Sequence, residues 1–330
     1  MSETTNIAEV ASKISKDIFK VFRWHTHPRK DDNFPCADKN HKGGGKGSSK
    51  DTHPTDVVFS YQDPYSATRV HLLCDLKSYK GDSISSTSIR KALQSLAMAV
   101  ECAAFSDVWK EKFAVAADED HVVHGLLFVH NHDGSYKKKF KEEVAKVRVR
   151  GLDIRDGVFL HYLGPEDIDR LFNIATDISG LIGRGEIPRS YSFYYPDLIM
   201  SRRIGDIWDQ QATFEVLAGP FVILKYPPES GAAGGHTIYY NRSGETREEF
   251  EYLIDCLSRF QLLDSGGEIS IRMSSPEIGE EFKSKFALAA RKYAVQWGMD
   301  EDRARRLESI SVDRVQAYTS SYSPGDCGWR

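Results

Sequence analysis

Three charged side chains in the first half of the chain have types and spacing that suit phosphate chemistry. Asp56 precedes an apolar run at 57–61, and Asp75 follows a second apolar run at 70–74. Lys77 lies two residues beyond Asp75, so in an extended strand both side chains project from the same face. Two carboxylates can hold a hard cation such as Mg²⁺, and a lysine can orient a water or stabilise developing negative charge. The spacing therefore indicates metal-assisted phosphodiester cleavage.

A tight hairpin is the element that must bring these side chains together. The run at 57–61 is rich in β-branched and aromatic residues, and Asp63-Pro64 is a turn signal before the next run. In antiparallel strands, the start of one strand and the end of the other lie at the same end of the hairpin. The sequence therefore predicts that Asp56, at the start of the first strand, lies near Asp75, at the end of the second.

The segments Pro54-Thr55-Asp56 and Asp75-Leu76-Lys77 together resemble the motif of the PD-(D/E)XK nuclease superfamily. The first half of the pattern is looser here, because Thr55 separates the proline from the aspartate. The resemblance covers roughly residues 1–180. It implies a restriction-endonuclease-like α/β fold with a mixed sheet flanked by helices, Mg²⁺ or Mn²⁺ as cofactor, and Asp56 and Asp75 as metal ligands.

The same resemblance implies two further site residues. A glutamate on the first helix often joins the metal site, and Glu9 is the candidate on the amphipathic helix predicted over 5–22. A glutamine on the helix after the lysine strand often lies near the site, and Gln94 has a suitable place on the helix predicted to end near 105. Ordinary roles stay open for both: Glu9 as the i,i+4 partner of Lys13, and Gln94 as a polar flank of the apolar stripe.

Hydrophobic periodicity predicts how the rest of the chain is organised. Residues 1–180 alternate between helices and strands, which is typical of a mixed sheet covered on both faces. The superfamily core has three strands before its second helix, and we expect the one outside the hairpin at 21–25. Residues 181–212 are predicted to be a connector, and 213–330 a smaller α+β domain. In that domain, strands are predicted at 214–225, 237–240, 268–272 and 309–318, and helices at 245–262 and 276–297.

Charge and cysteine usage limit the class of protein. The net charge is −4, so a DNA-binding surface must come from local clusters. Two such clusters are the lysines of the glycine-rich segment (Lys39, Lys42, Lys46 and Lys50) and a basic run at 137–150, although both are equally typical of solvated surface. The five cysteines are irregularly spaced, and neither a signal peptide nor a membrane span is visible, so we expect a cytoplasmic protein with no membrane partner.

A zinc site is disfavoured by spacing. Cys36, His25, His27, His41 and His53 are of ligand type, but they match no compact Cys/His signature.

The function predicted from these features is metal-dependent cleavage of DNA. The segments around the motif, together with Leu163-Gly164-Pro165-Glu166-Asp167-Ile168, are similar to nuclease subunits of bacterial anti-phage defence systems. That similarity implies a second protein subunit, a homo-oligomer, or both. Two alternatives stay open: an inactive nuclease-fold module that binds protein or nucleic acid, and a metal hydrolase that is not a nuclease.

Overall fold

The computed structural model describes residues 3–41, 50–113, 115–116, 119–148, 152, 154–197, 207–229, 234–296, 298, 300–319 and 322. The chain divides into two compact units, Met1–Phe172 with Thr319–Arg330, and Asn173–Tyr318. The boundary after Phe172 falls inside a helix. The predicted division into a nuclease-like domain at 1–180, a connector at 181–212 and an accessory domain at 213–330 stays a prediction.

The first unit contains helices and strands in alternation. Its elements are α1 (Glu3–Ile14), β1 (His25–Lys30), β2 (Phe34–Pro35), β3 (Thr52–His53), β4 (Val57–Gln62), β5 (Arg69–Tyr79), α2 (Ser86–Phe105), α3 (Asp107–Lys112), β6 (His121–Asn131), α4 (Phe140–Ala145), β7 (Leu160–Leu163) and the start of α5 (Pro165–Gly183). Ser85 caps α2, because its side chain accepts from the backbone N–H of Ser88 and that serine's hydroxyl accepts in return.

The described strands form a mixed sheet with the order β1-β4-β5-β6-β7. Strand β4 runs antiparallel to both β1 and β5, and β6 and β7 then continue parallel to β5. A small β2–β3 pair stands apart from this sheet. Residues 70–74 of β5 and most of β6 are buried, which explains the nearly continuous apolar runs in these two strands.

Both faces of this sheet are covered. Leu73 and Leu127 pack with the apolar stripe of α2 in one core cluster. On the other face, Phe19 lies against Phe59 and Phe128, with ring centroids 4.7 and 6.3 Å apart. Because side chains alternate along β5, Asp75 shares the α2 face with Leu73.

Three local predictions differ from the structure. The third strand is present, but at His25–Lys30 rather than 21–25. The first helix ends at Ile14 and continues as a π-helical turn over Ser15–Phe19. Asp75 lies within β5 rather than at its end, because pairing with β6 carries the strand on to Tyr79.

The second unit contains β8 (Ser192–Phe193), α6 (Phe214–Ala218), β9 (Phe221–Tyr226), β10 (Gly235–Tyr240), α7 (Arg247–Arg259), β11 (Glu268–Met273), α8 (Phe282–Gln296), α9 (Glu301–Glu308) and β12 (Ser311–Arg314). The single strand predicted at 214–225 was wrong in its first half. Thr213 caps a short helix there by accepting from the N–H of Val216, and the strand begins only after Gly219-Pro220. Strand β8 lies in the stretch predicted to be a connector.

The second sheet repeats the pattern of the first. Its order is β8-β9-β10-β11-β12, with two antiparallel pairings followed by two parallel ones. The predicted fold class, a mixed sheet flanked by helices followed by a further α+β region, is confirmed. No helix in the described part of the chain combines the length and apolar character that a bilayer crossing needs.

Candidate active site at the start of the β4–β5 hairpin

The register of the β4–β5 hairpin sets the position of the two aspartates. Val57 pairs with Cys74, so the next step along the hairpin brings Asp56 opposite Asp75. The backbone N–H of Asp56 donates to Cys74 O at 3.3 Å and continues the pairing beyond the strand. The structure therefore brings together the two carboxylates that the sequence predicted to be neighbours.

Lys77 forms an ion pair with the carboxylate two residues before it. Its Nζ lies 2.6 Å from Asp75 Oδ1, and the side chains are 34% and 12% exposed. Burial opposes the charged ammonium, yet the carboxylates of Asp75 and Asp56 raise the pKa of Lys77 above its usual value. The lysine is therefore held as a cation beside the carboxylate pair, at a position that solvent reaches.

Asp56 is the buried member of the pair. It is only 7% exposed, and its Oδ2 accepts the backbone N–H of Leu76 at 2.6 Å. Burial and the neighbouring Asp75 carboxylate raise the pKa of Asp56 to about 7. A nearby cation would strongly stabilise the ionised form of such a carboxylate. Strongly shifted pKa values of this kind are typical of functional sites.

Two residues near this site add to the predicted set: Asp31 was not predicted, and Lys50 was predicted only as one lysine of the basic glycine-rich segment, of which Lys42 and Lys46 lie outside the described residues. Asp31 follows β1 in a left-handed conformation, with φ of 50°, and its N–H donates to Asp56 O at 2.9 Å. Its charge contributes to the raised pKa of Asp56. Lys50 Nζ donates to Ser95 Oγ on α2 at 3.1 Å, and its charge interacts with those of Asp75 and Lys77. An acidic residue directly after an edge strand was the available signal for Asp31, but that strand was predicted to end at residue 25.

The two site residues implied only by resemblance are placed less directly. Glu9 is exposed on α1, and within the described residues no hydrogen bond or ion pair joins it to Asp56 or Asp75. Gln94 is half-buried on α2, next to the serine that binds Lys50, and its side chain makes no hydrogen bond to another described residue. A metal role for Glu9 and a site role for Gln94 therefore stay predictions.

The donor set of the site suits a hard cation that keeps part of its water. Asp56 and Asp75 supply carboxylate oxygens, which are the ligands that Mg²⁺ and Mn²⁺ prefer. Among the described residues, two groups of three or more potential ligand side chains lie within 4.8 Å, and neither includes this pair. A pair of carboxylates suits Mg²⁺, which is commonly bound by one or two carboxylates plus waters and substrate phosphates.

The second sheet provides an internal comparison. There Phe221 pairs with Tyr240, as Val57 pairs with Cys74 in the first sheet. The positions that correspond to Asp56, Asp75 and Lys77 are therefore occupied by Pro220, Asn241 and Ser243. Of the two similar sheets, the first alone carries the carboxylate pair and the lysine.

Comparison with known protein families gives a match over the first half of the chain. Residues 1–167 match the family model described as the GAPS4 protein PD-(D/E)XK nuclease domain. No curated protein and no solved structure matches the chain.

Proposed function

Because the chain belongs to the GAPS4 family of PD-(D/E)XK nuclease-domain proteins, an anti-phage defence family, we propose that it cleaves DNA with the help of Mg²⁺ or Mn²⁺. The predicted superfamily and the predicted defence role are confirmed. The proposed metal ligands are Asp56 and Asp75, and the proposed catalytic cation is Lys77.

One observation supports this proposal most strongly. Lys77 Nζ lies 2.6 Å from Asp75, beside the buried carboxyl of Asp56, whose pKa is raised to about 7. An isolated structural ion pair would not need a second, buried carboxylate next to it. Such a carboxylate is unfavourable in the free protein and becomes favourable when a divalent cation binds.

Each side chain has a distinct part in the proposed reaction. Asp56 and Asp75 would hold the cation through their ionised carboxylates, and the Leu76 N–H fixes one of the Asp56 oxygens. Lys77 would place its ammonium beside the scissile phosphate or the attacking water, where a positive charge stabilises developing negative charge. A bound divalent cation supplies polarisation of the phosphate and a more acidic water. Lys50 is a second positive charge for the phosphate backbone.

DNA as the substrate and a partner subunit are further parts of the proposal. A nuclease domain implies contact with nucleic acid, and the defence function points to phage DNA. Following the resemblance noted in the sequence, we propose that the chain works with a second protein subunit or with another copy of itself. Sedimentation of the purified chain, alone and from cells that express its neighbouring genes, tests this part.

The cleavage test compares substitutions at the proposed site with substitutions at the corresponding positions of the second sheet. Plasmid DNA and a matched RNA are incubated with the protein and Mg²⁺ or Mn²⁺, with any co-purifying partner present. Asp75→Ala and Lys77→Ala are expected to lower cleavage at least about 100-fold, since each removes a charge that acts in the transition state. Asn241→Ala and Ser243→Ala, at the corresponding positions of the second sheet, are expected to leave cleavage unchanged.

The alternative, an inactive nuclease-fold module, makes the opposite prediction. If neither the wild type nor its complex cuts DNA with either metal, while the protein still binds DNA or a partner, the module is the better description. Cleavage that survives both Asp75→Ala and Lys77→Ala in folded protein would overturn the assignment of the site.

A further inference from the structure

A second cluster of ligand-type side chains lies apart from the carboxylate pair. Cys36 follows β2, His41 lies in the next loop, His53 belongs to β3, and Cys102 lies on α2. One ligand atom from each of these residues lies within 4.8 Å of all the others. The first three were considered as zinc ligands from the sequence, but the fourth comes from a helix that follows two further strands.

The distances between these atoms fit the edges of a tetrahedron around one ion. The two sulfurs are 3.9 Å apart, His41 Nδ1 lies 3.4 Å from each of them, and His53 Nε2 lies 3.4 Å from His41 Nδ1. Tetrahedral zinc, with Zn–S of about 2.3 Å and Zn–N of about 2.0–2.1 Å, separates two sulfurs by about 3.8 Å, sulfur and nitrogen by about 3.5 Å, and two nitrogens by about 3.4 Å. We propose that Cys36, His41, His53 and Cys102 form a structural zinc site.

Hydrogen bonding alone does not account for this arrangement. His41 Nδ1 faces two thiols and a second imidazole at the same distance, and one ring nitrogen can donate or accept only once. The sulfurs are also too far apart for a disulfide, in which they lie about 2.05 Å apart. A cation at the centre gives all four facing atoms a common partner.

A carboxylate orients one of the two histidines as in known zinc proteins. His41 Nε2 faces Glu101 Oε2 at 3.4 Å, so a metal on Nδ1 leaves the proton on Nε2 to be donated to a carboxylate. Arg155 binds both Glu101 and Asp38. The other nearby group of ligand type, Asp38 with His41 and Glu101, is therefore already neutralised by an arginine and is a poorer cation site.

Burial indicates that the site is structural and not catalytic. His53, Cys102 and His41 are 0%, 3% and 6% exposed, and Cys36 is half-buried. Four protein ligands fill a tetrahedral zinc, which leaves no position for water or substrate. The ion would tie β2, β3 and the intervening loop to α2. Since His53 is three residues before Asp56, this link fixes the approach to the carboxylate pair without taking part in its chemistry.

The test measures metal rather than activity. Protein purified without chelators is expected to contain about one zinc per chain by mass spectrometry of metals. Replacement by Co²⁺ should give the visible bands of a tetrahedral ion with thiolate ligands. Cys36→Ser and Cys102→Ser are expected to lose the zinc and those bands, whereas Cys256→Ser, at a buried cysteine of the second unit, should keep both.

Measurements on the wild type keep the test decisive if the variants fold poorly. A mercurial reagent that modifies thiols should release the zinc in proportion to the cysteines modified. Protein from zinc-supplemented medium that holds no zinc and gives no cobalt bands would overturn the proposal, as would a Cys36–Cys102 disulfide found by mass mapping. Neither result depends on whether the chain cuts DNA.

Discussion

At the scale of single residues, the folded environment of Asp56 differs strongly from that in the unfolded chain. Its pKa is raised to about 7 by burial and by the Asp75 carboxylate. The protonated form is therefore the one that fits the metal-free fold. The stability that this form contributes is fully present below the unfolded pKa, near 4, and is lost as the pH rises through about 7.

Asp56→Asn is expected to reveal this titration. Asparagine keeps an oxygen that can accept the Leu76 N–H, but it cannot ionise. In metal-free protein, the variant should match the wild type near pH 4 and exceed its unfolding free energy by roughly 2–4 kcal/mol above about pH 7. Urea unfolding across this pH range, without divalent cations, measures the difference. A difference that does not change with pH would contradict the raised pKa.

Residue-level prediction from the sequence worked where the geometry was local. The i,i+2 spacing of Asp75 and Lys77 and a short hairpin are enough to place three side chains together. Asp31 and Lys50 depend on how the segments before Asp56 fold back, which no periodicity encodes. Cys102 could not be linked to Cys36 for the same reason, because that contact joins a loop to a helix far along the chain.

At the scale of elements, the packing of α2 against β6 holds the candidate site in shape. Gly125 on β6 pairs with Leu73, two residues before Asp75, and α2 crosses directly above it. A Cβ at Gly125 would lie 2.7 Å from Leu160 Cδ2 and 2.9 Å from Leu96 Cγ. The absence of a side chain there lets the helix approach the sheet closely.

Gly125→Ala is therefore expected to lower the unfolding free energy by roughly 1–3 kcal/mol through overpacking. Gly183→Ala is the matched control, since a Cβ at the end of α5 meets nothing within 4 Å. Alanine there should be neutral or stabilise by up to about 1 kcal/mol, because it favours helix more than glycine does. Denaturant unfolding of both variants measures the contrast, and equal stabilities would contradict the close approach of α2.

Element boundaries were predicted well where one face of a helix is buried, and less well where a neighbour extends a strand. The buried stripe of α2 was visible from the sequence. The last four residues of β5 alternate less clearly between apolar and polar side chains. They continue the strand because β6 pairs with them. In the second unit, a helix cap at Thr213 divides an apolar stretch that periodicity alone joined into one strand.

At the scale of the whole molecule, two sheets of the same order and direction follow one another in the chain. The similarity of the two sheets is not visible as a sequence repeat, because the sheets share strand order and register rather than residue types. The second sheet has Pro220, Asn241 and Ser243 where the first has its charged residues. The repetition therefore concerns architecture, and the proposed chemistry belongs to the first sheet.

The first unit is discontinuous in sequence, because its last part comes from residues after 318. Tyr322 is 2% exposed, and its ring centroid lies 4.7 Å from that of Phe172. Its hydroxyl donates to Asp17 Oδ2 at 3.0 Å, its N–H donates to Asp169, and its carbonyl oxygen lies 2.7 Å from His130 Nε2. One residue near the end of the chain thus contacts α5, β6 and the π-helical turn after α1.

Tyr322→Ala is expected to lower the unfolding free energy of the first unit by roughly 3–5 kcal/mol, the usual cost of truncating a large buried aromatic side chain. Tyr318→Ala is the matched control, because that ring is 46% exposed and the hydrogen bond to Asn173 comes from the backbone N–H. Its effect should stay within about 0.5 kcal/mol. Tryptophan fluorescence during urea unfolding measures both variants, since Trp24 and Trp109 are buried in the first unit. If Tyr322→Ala has as small an effect as Tyr318→Ala, the segment after residue 318 contributes little to the stability of the first unit. A chain truncated before residue 319 would then be expected to keep full stability.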